Sequence, residues 1–382
     1  MPTFGPGAAR GIGQGPRIRR HRVRLRRVDN PPNPYVGEHR EWLEPPPRAR
    51  LEIYEETSGS ILSRNDSPDL PYVWSVNPYR GCQHACAYCY ARPYHEYLGL
   101  GAGTDFETKL VVKTNAPRLL EQAFRKRTWR REWINFSGIT DCYQPIEAAY
   151  RLTRQCLEVC AAFANPVGVV TKSYLVVRDA DVLLEIDRKA SAHVMVSVPF
   201  ADAKIAGLLE PQAPPPARRL EAIRRLREAG VSAGVMVAPI IPGLNDRDIG
   251  RILQQAAEAG AVSAAYTALR LPGSVEPVFL SRLREVLPLR YKRVVRRIRD
   301  IRGGKLNDAR FGHRMRGSGT YWESVRDLFR ICRQRFGLDG VGEDPVPDGD
   351  CARGASCEVG EGCGARPPRE QPVQLSFDFG PP

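Results

Sequence analysis

The stretch Asn77-Pro78-Tyr79-Arg80-Gly81-Cys82-Gln83-His84-Ala85-Cys86-Ala87-Tyr88-Cys89-Tyr90 contains three cysteines with the spacing C-x3-C-x2-C. The next cysteine along the chain is Cys142, so the motif offers three thiols and not four. Three thiolates can bind three irons of a cubane cluster and leave the fourth iron open to a small molecule. Structural zinc sites and electron-transfer clusters use four protein ligands. The spacing therefore predicts an open 4Fe–4S cluster site on Cys82, Cys86 and Cys89, with a zinc site completed by His84 or His95 as the alternative.

The residues around these cysteines carry a resemblance to a known family. Tyr88, the aromatic residue before the last cysteine, makes the motif similar to that of the radical S-adenosylmethionine (SAM) superfamily. The longer string from Asn77 to His95 resembles the branch related to spore photoproduct lyase, the DNA-repair photolyase-like proteins, and the resemblance extends over roughly residues 69–338. It implies a 4Fe–4S cluster, SAM, an external electron donor, and a 5′-deoxyadenosyl radical that removes a hydrogen atom from the substrate.

Composition limits the class of protein. A chain of 382 residues with 42% hydrophobic residues can bury a large core. It contains no run of eighteen apolar residues, so we expect no membrane span, and its N-terminus lacks the apolar stretch of a secretory signal. Ten cysteines without an export signal are typical of a reducing compartment. We therefore expect a cytoplasmic protein with free thiols.

The net charge of +14 is unevenly distributed. Seven arginines lie between residues 17 and 27, and eleven basic residues against two acidic ones lie between residues 290 and 316. Clustered guanidinium groups favour phosphate-bearing polyanions. The charge predicts a nucleic-acid substrate, and the photolyase-like branch implies the same. A small-molecule or peptide substrate, or a non-catalytic iron–sulfur protein that binds nucleic acid or senses redox state, remain the alternatives.

Hydrophobic periodicity predicts alternating strands and helices. Strands are predicted at residues 72–76, 109–113, 133–137, 167–171, 193–198, 231–238 and 262–269, and helices at 91–98, 118–128, 146–163, 180–189, 218–229, 248–259 and 280–286. Such alternation predicts an α/β fold with a parallel sheet. The resemblance implies a partial (βα)6 TIM-like barrel, open on one side. Either architecture places a site at the carboxyl ends of the strands.

Several candidate residues follow predicted strands. The segment Ser137-Gly138-Ile139-Thr140-Asp141 resembles one that helps to seat SAM, so Ser137, Gly138 and Asp141 are candidate cofactor-binding residues, as is Tyr88. Strand order and the resemblance also imply that Lys172 pairs with the SAM carboxylate and that Ser197 hydrogen-bonds the ribose. Cys142 is a candidate catalytic hydrogen-atom donor, with a plain thiol as the alternative. The helical spacing of Cys156 and Cys160 instead predicts core packing.

The chain is expected to divide into three parts. Residues 1–68 form a basic, Pro- and Gly-rich arm, 69–338 the catalytic core with a basic helical extension, and 339–382 a disordered tail. With Cys332, the tail cysteines Cys351, Cys357 and Cys363 raise the possibility of a second metal site, although free thiols are the simpler interpretation. The terminal run from Gln371 to Phe379 contains a segment that resembles the peptides by which DNA-processing proteins dock on the sliding clamp.

Overall fold

The computed structural model describes residues 30–35 and 50–340. Three predictions lie outside these residues: the arginine run of residues 17–27, the cysteines at 351, 357 and 363, and the clamp-docking segment at 371–379. The division into an arm, a core and a tail also stays a prediction. Two strands, Glu52–Glu56 and Leu62–Arg64, do lie within the part assigned to the arm.

The described strands form two sheets. They are β1 (Glu52–Glu56), β2 (Leu62–Arg64), β3 (Trp74–Val76), β4 (Tyr79–Arg80), β5 (Lys109–Lys113), β6 (Ile134–Phe136), β7 (Val167–Thr171), β8 (Ala192–Ser197), β9 (Ser232–Ile240) and β10 (Ala264–Ala268). The larger sheet has the order β10-β9-β8-β7-β6-β3-β2. Its strands are parallel except β2, which pairs antiparallel with β3. The protein is therefore a mixed α/β fold built on a sheet of parallel strands, as the alternating pattern predicts.

Helices connect the parallel strands. They are α1 (Thr104–Thr108), α2 (Ala116–Phe124), α3 (Glu147–Tyr150), α4 (Leu152–Ala162), α5 (Ala180–Lys189), α6 (Ala203–Leu209), α7 (Pro216–Glu228), α8 (Ile249–Glu258), α9 (Val275–Val286), α10 (Pro288–Asp300) and α11 (Thr320–Arg335). Short 3-10 helices span Arg92–Leu98, Tyr174–Asp179 and Asp246–Asp248. Within the described ranges, no helix combines the length and apolar character needed to cross a membrane.

The core lies between the larger sheet and its helices. β6 is buried along its whole length, and alternate residues of β8 and β9 are buried with it. Cys156 and Cys160 pack into this core from α4, which confirms their predicted packing role. Because strands covered on both faces lose nearly all contact with water, their sequences read as continuous apolar runs.

The smaller sheet corrects one expectation. The predicted strand at residues 109–113 is β5, but it pairs with β1 and β4 and not with the larger sheet. An apolar run such as Leu110-Val111-Val112 fits the interior of either sheet, so the pattern alone does not assign it. The consequence is local but important, because β4 leads directly into the three cysteines.

One helix prediction differs in detail from the structure. The helix predicted over 146–163 is divided into α3 and α4 at Arg151, whose φ of +54° is left-handed and interrupts the helical hydrogen bonds. Helix α10 packs through Val294 and Ile298, and Ile301 directly after it is also buried. Gly230 and Gly260 lie just after α7 and α8, and their left-handed φ values of +85° and +86° suit the ends of helices.

Candidate cofactor site

The three cysteines lie on the cysteine loop, residues 81–90, immediately after β4. Cys82 and Cys86 are buried and Cys89 is half-buried, and all three thiols are free. The loop begins at Gly81, whose φ is +75°. A Cβ there would lie 2.9 Å from Leu110 Cδ2 and 3.0 Å from the Phe106 carbonyl oxygen, so only glycine fits this turn. The turn brings the Cys82 amide to the same Phe106 carbonyl at 2.9 Å.

The donor set fits a cluster better than a single ion. Among residues 30–35 and 50–340, no three His, Cys, Asp or Glu side chains converge closely enough to hold one metal ion. In a cubane cluster each cysteine binds a different iron, so the thiols stand farther apart than around one ion. Burial raises the pKa of the Cys86 thiol well above its ordinary value, and the Lys172 ammonium opposes that shift. Buried thiols of this kind become stable thiolates when bound metal supplies positive charge.

The cysteine loop is fastened to the loop that follows β6. Gln144 accepts a hydrogen bond from the Gln83 amide at 2.9 Å and donates one to the Gly81 carbonyl at 3.0 Å. Gln83 in turn accepts a hydrogen bond from the Ile146 amide at 2.7 Å. Gln144 is fully buried, so these bonds are shielded from water. The two chain segments therefore hold each other in one arrangement.

Arg92 stabilises the cysteine loop through buried hydrogen bonds and an ion pair. Its guanidinium is fully buried and donates to the Cys86 carbonyl from two nitrogens, at 2.9 and 3.1 Å. It also donates to the Ala102 carbonyl at 2.8 Å and forms an ion pair with Glu107 at 2.5 Å. A planar guanidinium that spans several acceptors fixes their relative positions. Arg92 thus fixes the backbone on which Cys86 is carried.

Asp141 is occupied by contacts within the protein. Its carboxylate accepts hydrogen bonds from the Thr171 hydroxyl at 2.7 Å and from the Lys172 amide at 2.8 Å. It also lies 3.2 Å from Nδ1 of His84 in the cysteine loop. Burial would raise the pKa of Asp141, but His84 outweighs it and lowers that pKa to about 2. Burial likewise lowers the pKa of His84, and Asp141 overcomes it and raises the value to about 9. Asp141 therefore joins the cysteine loop to the end of β7.

Ser137 and Gly138 form a tight turn at the end of β6. Ser137 has a φ of +85°, which is strained for a residue with a side chain, and its hydroxyl accepts the Cys142 amide at 3.0 Å. The Gly138 carbonyl accepts a hydrogen bond from the Tyr90 hydroxyl at 2.8 Å. A Cβ on Gly138 would come within 3.1 Å of Ser75. The turn therefore lies against the cysteine loop, and its role in seating SAM stays a prediction.

A buried charged network joins Tyr88 to Lys172. The Tyr88 hydroxyl donates a hydrogen bond to Glu210, and the Lys172 ammonium lies 3.8 Å from the same carboxylate and 5.8 Å from the Tyr88 ring centroid. Arg219 forms an ion pair with Glu210 and donates to the Ser197 carbonyl at 3.1 Å. Although burial opposes it, the pKa of Glu210 is lowered by Arg219 and Lys172. Tyr88, Lys172 and Ser197 are thus brought together around one carboxylate.

Cys142 lies in the hydrophobic core. It is fully buried, its amide donates to Ser137 and its carbonyl accepts a hydrogen bond from Thr153 at 2.7 Å. Burial raises the pKa of its thiol well above the ordinary value. These surroundings are those of a packing residue, and they do not favour the hydrogen-donor role, which stays a prediction.

Four residues of the site were missed by the sequence analysis: Arg92, Gln144, Glu210 and Arg219. Arg92 lies inside the string from Asn77 to His95, and Gln144 lies three residues after the segment that ends at Asp141, so their positions were a signal. Glu210 and Arg219 lie in a proline-rich segment whose sequence gives no sign that it packs on the cysteine loop. The contact is made by the backbone, because the Ala87 amide donates to the Leu209 carbonyl at 2.9 Å.

Comparisons with known proteins agree with this geometry. The radical SAM superfamily model matches residues 76–256. An uncharacterized protein of Mycobacterium tuberculosis is 39% identical over 233 residues, which are 60% of this chain and 68% of the relative. An uncharacterized protein of Methanocaldococcus jannaschii is 31% identical over 198 residues, which are 52% of this chain and 71% of the relative.

Solved structures give the same fold at lower identity. Spore photoproduct lyase complexed with dinucleoside spore photoproduct has a TM-score of 0.54 and 15% identity, covering 74% of this chain and 79% of that one. A mutant of the same lyase with bound AdoMet and dinucleoside spore photoproduct has a TM-score of 0.55 and 16% identity, with the same coverage. At these identities the match shows a common fold. The chain belongs to the radical SAM superfamily, which uses a 4Fe–4S cluster and SAM.

Proposed function

We propose that the protein is a radical SAM enzyme that carries a 4Fe–4S cluster on Cys82, Cys86 and Cys89 and acts on a nucleic acid. When bound and reduced by an external electron donor, the cluster supplies the electron that cleaves SAM to methionine and a 5′-deoxyadenosyl radical. The observation that carries the proposal is the cysteine loop itself. Its three free thiols are held by a buried framework, which includes Gln144 and Arg92, with no fourth cysteine in the loop.

The proposal includes a partial barrel of six βα units. Six parallel strands follow one another in chain order across the larger sheet, from β3 to β10. Such a sheet, curved but open, gathers the carboxyl ends of its strands at one mouth. The residues after β6, β7 and β8 include Ser137, Lys172 and the chain beyond Ser197. We infer that SAM binds beside these strand ends, next to the cysteine loop.

Within that space we assign the SAM carboxylate to Lys172. The ammonium is one-sixth exposed, and its approach to Glu210 is a long 3.8 Å contact, so it retains the capacity to bind a second anion. Lys172→Ala is expected to weaken SAM binding at least tenfold, since a hydrogen bond to a charged group contributes about 1.5–3 kcal/mol. Equilibrium titration of SAM onto cluster-loaded protein measures the change. Unchanged affinity at full cluster content would remove Lys172 from the site.

The exposed face of α10 supports a nucleic-acid substrate. Lys292, Arg296 and Arg299 lie at i, i+4 and i+7, so they share one side of the helix, and all three are exposed. We call them the basic face. Among the described residues these three form no ion pair, whereas Arg297 pairs with Asp300 at 3.1 Å. Three unopposed charges on an ordered helix match the spaced phosphates of a nucleic-acid backbone.

Exposed tyrosines next to the cysteine loop add a second kind of contact. Tyr90, Tyr94, Tyr97 and Tyr35 are each more than 40% exposed. The rings of Tyr35 and Tyr97 lie 4.8 Å apart, and those of Tyr94 and Tyr97 lie 6.2 Å apart. The Arg270 guanidinium lies 5.6 Å from the Tyr90 ring centroid. Aromatic rings interleaved with arginine are the surfaces on which unpaired bases stack.

The experiment that tests the function is a release assay for 5′-deoxyadenosine. Anaerobically reconstituted protein is reduced and supplied with SAM, first alone and then with damaged and undamaged single- and double-stranded nucleic acids. We expect basal release without substrate and faster release with one class of nucleic acid. No release under any condition, at full cluster content, would refute the proposal that the protein is a radical SAM enzyme. Release that only small molecules or peptides accelerate would refute the nucleic-acid substrate.

A further inference from the structure

Exposed aromatic rings are concentrated beside the cysteine loop. Among the described residues six aromatic side chains are exposed, and four of them are Tyr90, Tyr94, Tyr97 and Tyr35. We call these four the tyrosine patch. One exposed ring is ordinary on a protein surface, but a group of exposed rings leaves a large apolar area uncovered and indicates an interaction surface. Tyr90 directly follows Cys89, so the patch adjoins the proposed cluster site.

Tyr35 belongs to a segment that docks on the 3-10 helix after the cysteine loop. The side-chain amide of Asn33 donates hydrogen bonds to the carbonyls of Glu96 and Leu100, at 3.1 Å each. With the segment held there, the Tyr35 ring lies 4.8 Å from the Tyr97 ring. The rings are thus positioned by the fold before any ligand binds, which lowers the entropy cost of binding.

The acidic side chains close to this helix have partners within the protein. Glu96 is only 2% exposed and accepts a hydrogen bond from the Ser274 hydroxyl. Asp105 on α1 pairs with Lys109 at 3.2 Å and accepts a hydrogen bond from the Gly101 amide at 2.9 Å. Neither carboxylate is therefore left to repel a phosphate group at the tyrosine patch.

Arg270 supplies a positive charge next to the patch. It lies two residues after β10, and its guanidinium is half-buried over the Tyr90 ring. Among the described residues no carboxylate lies within ion-pair distance of it, since Asp69 pairs with Arg314, and its guanidinium donates only to the Met315 sulfur, a weak acceptor, at 3.6 Å. Burial lowers the pKa of Arg270, and Arg314 adds to that effect. An anion would compensate this charge.

We propose that the tyrosine patch binds an unpaired stretch of the substrate, so that the substrate class is single-stranded nucleic acid. Bases stack on the tyrosine rings, and Arg270 pairs with a phosphate of the same strand. In a duplex the faces of the bases are covered by neighbouring base pairs, and only their edges are accessible in the grooves. Stacking on tyrosine therefore requires unpaired bases. This inference rests on the proposed function and narrows it.

The first test measures binding to single-stranded DNA by fluorescence anisotropy. A labelled oligonucleotide of about 12 nucleotides is titrated with cluster-loaded full-length protein, at a salt concentration that suppresses nonspecific phosphate binding. Each base stacked on an aromatic ring contributes about fivefold or more in affinity. Tyr94→Ala/Tyr97→Ala should therefore weaken binding by about 25-fold or more, and Tyr35→Ala by about fivefold or more.

Phenylalanine variants are the matched controls. Tyr94→Phe/Tyr97→Phe and Tyr35→Phe keep the faces of the rings and remove only the hydroxyl groups, so their affinity should stay close to that of the wild type. Because all three side chains are exposed, the alanine and phenylalanine variants should keep the native fold. Wild-type affinity in the alanine variants, or an equal loss in the alanine and phenylalanine variants, would overturn stacking.

Arg270→Gln tests the phosphate contact. Loss of one contact should make the slope of log affinity against log salt shallower by about 0.7 for a single strand. Arg125→Gln is the matched control: its guanidinium also lies beside an aromatic ring, 5.8 Å from the Phe163 centroid, and its removal changes the net charge equally. This control should keep the wild-type slope. Equal slopes in the two variants would overturn the phosphate contact.

The second test compares the single strand with a blunt-ended duplex of the same sequence. Tyr94→Ala/Tyr97→Ala should lose affinity for the single strand and retain it for the duplex. An equal loss for both ligands, or a wild type that binds only the duplex, would overturn the single-strand class and leave the nucleic-acid proposal intact. A wild type that binds neither would refute the nucleic-acid substrate, and the single strand with it. Binding needs no reductant and no SAM, so failure of the radical SAM proposal is seen separately, in the release assay.

Discussion

The cysteine loop and the basic segment, residues 290–316, differ in how their charged side chains are paired. Around the cysteine loop every buried charge described above meets an opposite one: Arg92 pairs with Glu107 and Arg219 with Glu210. Among residues 30–35 and 50–340, the buried Arg302 of the basic segment donates only to carbonyls, and the basic face is exposed to solvent. The charges described in the first region are thus compensated within the protein. In the second region we propose that a negatively charged partner compensates the basic face.

The difference has a physical reason. A buried ion pair contributes little net stability, yet removal of one partner costs several kcal/mol because the other charge remains buried. Such pairs therefore fix positions firmly, which a cofactor site requires. Exposed charges remain solvated, so they cost almost no folding free energy, and salt weakens their electrostatic interactions. Both properties suit reversible binding of a polyanion.

The largest effect is expected at the cysteines. Cys82→Ala, Cys86→Ala and Cys89→Ala should each abolish the cluster and all SAM cleavage, because a cubane cluster cannot be held by two thiolates. Iron and sulfide content and 5′-deoxyadenosine release measure the loss. Cys332→Ala is the matched control, since Cys332 is a free thiol on α11, away from the loop, and should change neither quantity. Full iron content and activity in a Cys82/Cys86/Cys89 triple variant would show that the cluster lies elsewhere.

The next effect concerns the buried charged network around Glu210. Glu210→Gln leaves Arg219 buried without its anion, and removal of one partner of a buried pair costs about 3–5 kcal/mol. We expect a loss of that size in the free energy of unfolding, measured by urea denaturation of cluster-loaded protein without oxygen. The orientation of Tyr88 and Lys172 should be lost with it, so SAM affinity should fall as well.

An exposed ion pair supplies the control. Glu185 pairs with Lys189 on the surface of α5 at 2.6 Å, and such pairs contribute about 0–1 kcal/mol. Glu185→Gln should therefore change the unfolding free energy by no more than that. Equal losses in Glu210→Gln and Glu185→Gln would mean that the buried network does not carry the stability assigned to it.

Much of the fold was predictable from periodicity. β5, β7 and α5 begin and end at the predicted residues, since each contains a clear apolar pattern. The pattern did not reveal that β5 belongs to a second sheet, because pairing partners are set by tertiary packing and not by local sequence. The interruption at Arg151 was also missed, as an arginine with positive φ has no sequence signature.

The site was predictable only where the motif is compact. The three cysteines and the turn at Ser137 and Gly138 could be named as candidates because the residues of each motif are neighbours in sequence, and the structure places the turn against the cysteine loop. Glu210 reaches Tyr88 across 122 positions, so no local pattern connects them. The count of basic residues between 290 and 316 also did not distinguish exposed side chains from those with structural contacts. Arg293 donates to the Gly243 carbonyl at 2.9 Å, so it holds the helix in place and does not face a partner.

The third effect is expected at the basic face. Reversal of Lys292, Arg296 and Arg299 to glutamate should weaken nucleic-acid binding at least tenfold. The slope of log affinity against log salt should become shallower by up to about 2.7 for duplex, at about 0.9 for each phosphate contact. Basal SAM cleavage should persist, because the cysteine loop is unchanged. Fluorescence anisotropy over a range of salt measures affinity and slope.

A second triple reversal separates a local contact from net charge. Arg118, Lys126 and Arg127 lie on or directly after α2 and are exposed, so their change to glutamate alters the net charge by the same amount. If binding depends on the basic face, this control retains most of its salt slope. Identical slopes in the two variants would mean that overall charge, and not α10, governs binding.

The smallest effect is a pH dependence of folding stability near the cysteine loop. His95 is buried beside the Phe106 ring, at 5.7 Å between centroids, and burial lowers the pKa of His95 to about 4 against the contribution of nearby Asp105. The unfolded chain, with an ordinary pKa of about 6.5, binds more protons as the pH falls between these values. Folding stability is therefore lost as the pH drops from about 6.5 towards 4. The loss between about pH 7.5 and about pH 5.5 should be roughly 1.4 kcal/mol.

His95→Gln should remove this part of the pH dependence, because glutamine does not titrate. Urea denaturation of cluster-loaded protein at the two pH values gives the difference for each variant. If His95→Gln loses as much stability at the lower pH as the wild type does, His95 is not the group that resists protonation.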